Sequence, residues 1–378
     1  MNALISSKHK LMDLMRFLYH LLTDRRVQQD LKRYWLAKNK KDKAIINDEL
    51  KELKKYWGFL PMQYFTHDFY SVNCELSLNE MKSYIPGYYF YKIIFPRYDD
   101  VKIIIPIIEN KISMNKLFKK SGIERSTVLF IKESGVFKSF DGDVLLEKAL
   151  IDVIKNQKCK KLFIKPVSGR GGAGILIAHR NNDGQFYLDD LIVDANFLKD
   201  LSGDYIIETA IEQLEYISNI YPHSVNTLRA ITKRDSTGNV GLVAVTLRMG
   251  VHGSEIDNSH AGGILIGVNL ETGGAFRDYA TFEYGSEKFY NHPDTGFKFS
   301  DLNIPNWSEV RQHVINSAEK LKDINLVGWD VALVDGGVVM IEVNTLFGLN
   351  HTQAGVGGLE QFFITGSPME YFARASHD

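Results

Sequence analysis

The chain has 378 residues, enough for two or three domains, and its 44% hydrophobic and 24% charged content is that of an ordinary globular protein. A formal net charge of −1 gives no overall pull toward nucleic acid or acidic lipid, and Cys74 and Cys159 stand far apart without a zinc spacing. No apolar run approaches the roughly 18 residues that span a bilayer and no signal-peptide pattern opens the chain, so a soluble, reduced, cytoplasmic protein is expected.

Residues 1–58 read as helices, because "LMDLMRFLYHLL" and "INDELKELKKYW" repeat apolar residues at helical spacing. The connector "LAKNKKDK" makes this region basic. A solvated helical face explains it; so does docking to an anionic membrane surface or a protein partner. In "GYYFYKIIFPRYDDVKIIIPIIENK" two apolar runs broken by Pro96 and Pro106 suggest strands in a small α/β region over 59–110. "NKISMNKLFKKSGI" reads as a helix closed by Gly122, "VLFIKESGVF" as a strand and turn, and "DVLLEKALIDVIKNQKCK" as an amphipathic helix. "KLFIKPVSGRGGAGILIAHR" reads as strand, glycine loop, strand. "SVNTLRAIT" and "VGLVAVTLRMG" are strands, and "WSEVRQHVINSAEKLKD" is a helix with Ser308 as its candidate cap.

The glycine loop Gly169-Arg-Gly171-Gly172-Ala-Gly174 fits G-x-G-x-x-G literally. A dinucleotide fingerprint would continue into a helix, and a P-loop would continue into Gly-Lys-Ser/Thr; neither follows. Kinase catalytic and Asp-Phe-Gly strings are absent as well. What remains is a hairpin flap whose backbone N–H groups can approach phosphate oxygens, with Lys165 at the end of the preceding strand within reach.

Near the other end, "GWDVALVDGGVVMIEVNT" is a hairpin of two apolar strands that carry acids. With Asp335, Gly336 and Gly337 as its loop, Val334 pairs with Val338 and Asp330 lies opposite Glu342. Asn344 shares the face of Glu342, two residues on. Two carboxylates and an amide oxygen converging on one point suit magnesium shared with substrate phosphates. A carboxylate in a strand interior needs such a partner.

These strings, together with "DNSHAGGI" and "HPDTGFKFSDLNIPNW", resemble the ATP-grasp superfamily of carboxylate–amine ligases, and within it the sugar-transfer-associated ATP-grasp proteins that accompany polysaccharide biosynthesis. The likeness covers roughly residues 105–355. It implies an α+β ATP-grasp fold, two α/β subdomains clasping ATP, over 111–378, with a lid subdomain near 125–207.

It also implies ATP as the nucleotide and two magnesium ions on Asp330, Glu342 and Asn344, Glu342 bridging, with manganese able to take their place. Lys111 and Lys165 would meet the nucleotide, and Gly171, Gly172 and Gly174 would close over its phosphates. At Asn110 many family members have Asp, which loosens the match around Lys111. Glu208 to Ile211 resembles the adenine hinge, with Glu212 and Glu215 competing to bind ribose.

Arg229 and Arg248 stand where related ligases place arginines near the transferring phosphate, and a guanidinium fork suits an acyl-phosphate. Each arginine alone equally suits a surface ion pair. Asn258 and His260 lie in a glycine-flanked loop that could contact the γ-phosphate or the acceptor. His292 and His351 read as structural, and Trp329 as core.

The implied reaction joins a carboxylate to an amine through an acyl-phosphate and releases ADP, with a uronic acid of a surface glycan as one candidate carboxylate. A peptide or free amino acid substrate, a phosphotransferase and a non-catalytic binding module are the alternatives. Nucleic acid is not an expected partner; a membrane surface or a glycosyltransferase at the basic N-terminal helices is.

Overall fold

The computed structural model of the chain describes residues 22–169, 174–257 and 262–369. It begins with two helices, α1 (Arg25–Leu36) and α2 (Lys43–Trp57), started by the side chains of Asp24 and Asp42, which accept backbone N–H bonds two residues on. Gly58 stops α2 in the left-handed region (φ 82). Most of "LMDLMRFLYHLL" lies outside the described residues.

The strands expected around Pro96 and Pro106 are not there. Residues 87–97 form short helical turns and Val101–Ile108 is a helix, α3, with Pro106 inside it. Phe90, Ile93 and Ile94 recur at helical spacing and pack, with Phe95, near Phe347 and Phe363. A continuous apolar run hides its period, and Pro96 sits in the first turn of its 3₁₀ segment, where a missing N–H costs nothing. The next helix, α4 (Lys111–Ser121), ends at left-handed Gly122 as the sequence suggests.

Two antiparallel sheets follow. The lid sheet contains β1 (Val128–Glu133), β2 (Val136–Lys138), β3 (Lys161–Pro166), β4 (Leu176–Arg180), β5 (Phe186–Leu188), β6 (Leu191–Ile192) and β7 (Tyr205–Thr209), in the order β2-β1-β7-β3-β4-β5-β6. Its helices α5 (Glu147–Lys155) and α6 (Ala195–Asp200) cover one face, over Phe130, Leu162, Ile164 and Ile207. The opposite face packs Ile131 and Ile206 against Ile112 of α4 and Val167.

After α7 (Glu215–Ile220), the body sheet contains β8 (Leu228–Arg234), β9 (Val240–Met249), β10 (Ile264–Val268), β11 (Leu326–Val334) and β12 (Gly337–Asn344), in the order β10-β9-β8-β11-β12. Helix α8 (Trp307–Lys320) precedes β11. It starts at Asn306 rather than at Ser308, because Trp307 is drawn inward, its ring on Gly273 and its Nε1 donating to Leu270 O at 2.8 Å.

Alternation along the body strands sorts two faces. Leu228, Ala230, Val245, Leu247, Val327, Trp329 and Val331 point into the core shared with α4 and α8. On the other face, Ile231, Ala244 and Leu326 are apolar and lie under Phe347 and Leu349, whereas Arg229, Thr246, Arg248 and Asp330 are polar. Helix α9 (Leu349–Val356) crosses that face so closely that a Cβ on Gly267 would come within 2.5 Å of Gly355 O. The polar end of this face lines one wall of the cleft.

Candidate active site

The β11–β12 hairpin brings the acids together by a route the sequence does not show. Its loop is two residues, Asp335-Gly336, so Val334 pairs with Gly337 and not with Val338. That shorter loop would by itself put Asp330 opposite Ile341. A bulge at Ile341 restores one residue, and Asp330 pairs with Glu342, with Asn344 opposite Gly328. Gly336, at φ 78, supplies the left-handed residue of the tight turn.

Asp330 is already engaged. Arg229, its cross-strand neighbour on β8, donates Nε to Oδ1 at 2.5 Å and Nη2 to Oδ2 at 3.0 Å, a fork on a carboxylate. Arg248 on β9 brings Nη2 to 3.3 Å from Asp330 Oδ2. Burial alone would raise the Asp330 carboxyl, but the two guanidiniums outweigh it and hold it below the usual range. Arg248 is in turn held by Thr227, whose Oγ1 accepts Nε at 3.0 Å and Nη2 at 2.5 Å, and by Asp257 at 3.5 Å. Asp257 takes the Thr227 N–H at 3.0 Å and its hydroxyl as well. Motif reasoning missed Thr227 and Asp257. Their signal was present: Thr227 lies two residues before Arg229, just ahead of β8, and Asp257 adjoins Asn258.

Glu342 is different. Burial first, and Asp330 second, push its carboxyl above the ordinary value, with Lys111 and Lys165 opposing. With Asn344 it opens on a small cleft walled by Ile108, Glu109 and Gly169. Asn344 Nδ2 sits 3.5 Å from Asp330 Oδ2, at the limit of a hydrogen bond.

From the lid side, Lys165 on β3 bonds Glu208 on β7 at 2.6 Å, both largely buried. Lys111, the first residue of α4, donates Nζ to Gly169 O at 3.1 Å. Burial lowers the Lys111 pKa, while Glu342 acts to raise it. Asn110 is the N-cap of α4 and accepts Ser113 N–H at 2.9 Å, a task Asn and Asp perform alike. Gly174, with φ 75, returns the chain toward β4.

Glu208, expected to meet adenine through its backbone, is engaged through its side chain, which accepts the Lys165 ammonium at 2.6 Å. Ile211 lies in the connector after β7, with Glu212 exposed beside it and Glu215 exposed at the start of α7. Gly171, Gly172, Asn258 and His260 lie outside the described residues. His292 is structural, with Nε2 3.0 Å from Gly250 O and its ring stacked on Tyr221. His351 is buried in α9, and Trp329 is core, donating Nε1 to Thr232 at 2.8 Å.

The donors fit a hard divalent cation. Glu342 has no hydrogen-bonding protein partner among the described residues, lies beside a second acid, and resists ionisation without an added cation. Asp330 is forked by Arg229 on both oxygens, and its Oδ2 also has Arg248 Nη2 at 3.3 Å and Asn344 Nδ2 at 3.5 Å, so Oδ1 is the oxygen with a lone pair to offer.

A family described as sugar-transfer associated ATP-grasp matches residues 94–361. The chain belongs to this family. No curated protein matches the sequence. Among solved structures, this ATP-grasp chain is similar to D-alanyl-alanine synthetase A from Vibrio cholerae, at 13% identity, TM-score 0.39, covering 71% of this chain and 63% of that one. It is similar to N5-carboxyaminoimidazole ribonucleotide synthetase in its ADP complex, at 12% identity, TM-score 0.37, 64% and 46%. It is also similar to the L-amino acid ligase from Bacillus licheniformis, at 13% identity, TM-score 0.34, 64% and 41%. The chain spans a little under half the length of the last two.

Proposed function

We propose that this ATP-grasp chain is an ATP-dependent ligase that joins an amine to a carboxylate, the carboxylate being a uronic acid of a surface glycan or its precursor. What carries the reading is the cleft itself: Lys111 and Lys165 on one side, Glu342, Asn344 and the Arg229–Asp330–Arg248 cluster on the other.

Lys165 and Lys111 meet the nucleotide phosphates, each with ammonium N–H groups beyond the single bond it makes among the described residues. The glycine flap of residues 169–174 adds backbone N–H groups and shields the site from water. An oxygen of the substrate carboxylate attacks the γ-phosphorus, the bond to the β-phosphate bridging oxygen breaks, and ADP leaves. The amine nitrogen then attacks the acyl carbon, the bond to the phosphate oxygen breaks, and the nitrogen gives up a proton. Arg229 and Arg248 stabilise the negative charge that develops on the transferred group. Glu342, Asn344 and Asp330 would hold magnesium, which would supply the positive charge that phosphoryl transfer needs.

The test is ADP release with magnesium and ATP across uronic acids crossed with amines, product mass read in the same reactions, and Glu342→Gln as the blank. A pair that gives ADP and a product one water lighter than its substrates together names the reaction. A product from a peptide or free amino acid moves the substrate class. A phosphorylated acceptor with no amide replaces the ligase with a phosphotransferase.

A further inference from the structure

The N-terminal helices carry a surface that the cleft does not use. The inner face of α1 is fixed: Asp30 accepts the Thr66 hydroxyl at 2.7 Å, and Arg33 reaches Asp68 at 2.8 Å and the carbonyls of Phe65 and Thr66. Two connector lysines are also folded inward, Lys40 onto the Tyr34 carbonyl and ring, Lys41 onto Glu49 at 2.8 Å.

That anchoring turns the other face of α1 outward. Trp35 is 74% and Leu36 68% exposed at its last turn, and Val72, hydrogen-bonded to Asn39 of the connector, is 57% exposed. Lys32, Lys38 and Lys43 are exposed around them and have no acidic partner among the described residues. Asp42 is committed to capping α2.

We propose that this tip of α1 and the α1–α2 connector docks on an anionic bilayer surface. An indole with an aliphatic neighbour inserts at the headgroup boundary, and unpaired lysines around it are attracted to acidic lipid. Leu36 and Val72 decide against nucleic acid, which offers a lysine patch phosphates but offers aliphatic side chains no hydrocarbon. No helix among the described residues is long and apolar enough to cross a membrane. The proposal stands independently of the ligase reading.

Fluorescence tests it in the full chain, because Trp57, Trp307 and Trp329 are buried and Trp35 is the exposed tryptophan. Phosphatidylcholine vesicles with about a third phosphatidylglycerol should blue-shift the emission and protect it from acrylamide, pure phosphatidylcholine should not, and salt should reverse the effect. Trp35→Ser with Leu36→Ser should lower the vesicle-bound fraction, read by sedimentation, at least about tenfold with an unchanged unfolding midpoint. Lys32→Glu with Lys38→Glu and Lys43→Glu should abolish the preference for acidic lipid. Undiminished binding by the Ser pair would overturn the proposal and pass the role to residues 1–21. No vesicle binding, or self-association that the Ser pair abolishes, would overturn it too, the latter assigning the surface to a second copy.

Discussion

The lid and body walls of the cleft hold charge in opposite ways. On the lid side, lysines make one bond each among the described residues, Lys165 of β3 to Glu208 and Lys111 of α4 to Gly169 O, and the remaining ammonium N–H groups have no partner there. On the body, Arg229, Arg248, Thr227, Asp257 and Asp330 bond one another until little capacity is left. In the proposed reaction the lid wall receives the ligand and the body wall stays where it is. A lysine is a flexible point charge, whereas a guanidinium fork fixes geometry, so the residue types match the two tasks. Glu342 is the exception on the body wall, an acid with no protein cation bonded to it among the described residues.

The sharpest way to break this comparison is Asp330→Ala. It would leave Arg229 and Arg248 buried without their carboxylate, and the expected loss is about 3–5 kcal/mol in urea unfolding together with activity. A loss no larger than that of a surface substitution would show that the arginine network is not a structural unit. Glu342→Gln, one strand away, should leave stability within about 1 kcal/mol while removing manganese binding, read by paramagnetic resonance, along with turnover.

The two acids should also oppose each other in pH. Asp330, held low, contributes stability above the ordinary aspartate range that is lost as pH falls through its folded value. Glu342, held high, costs stability as pH rises from the ordinary glutamate value through its own, so Glu342→Gln should flatten that decline. A wild-type curve that the Gln variant reproduces would refute the assignment.

Lid substitutions should act on binding more than on folding. Lys165→Met, made with Glu208→Gln so that no buried acid is left unpaired, should weaken ADP binding about tenfold in equilibrium dialysis. Because the Lys111 pKa is lowered, nucleotide affinity should fall on the alkaline side before an ordinary lysine would titrate, and Lys111→Arg should move that limb upward. An unmoved limb would detach Lys111 from the nucleotide. The smallest effect belongs to the tie between the walls, where Glu255 meets Lys161 at 2.5 Å and His179 at 3.2 Å. These groups are a third or more exposed or nearly so, and Glu255→Gln should cost under about 1 kcal/mol, visible as faster hydrogen exchange in β3 and β4. Slower exchange would mean that the tie holds the lid open.

Much of this was legible in local pattern. The strand–glycine loop–strand, the helix ending at Gly122 and the acidic hairpin all follow from period, turn residues and caps that lie within a few positions of one another. The segment around Pro96 was not, because an unbroken apolar run has no period to read, and its helical form is set by packing near Phe347 and Phe363.

The sequence by itself determined which residues can carry the chemistry: two lysines, two arginines and an Asp–Glu–Asn set on runs that had to be strands. Only the tertiary structure decided how they combine. Asp330 faces Glu342 through a bulge at Ile341 and not through a longer loop, and Arg229 and Arg248 close on Asp330 because β8, β9 and β11 lie side by side. Those contacts join residues up to about a hundred positions apart. Strand order and register follow from the packing of the whole sheet rather than from any local run of residues.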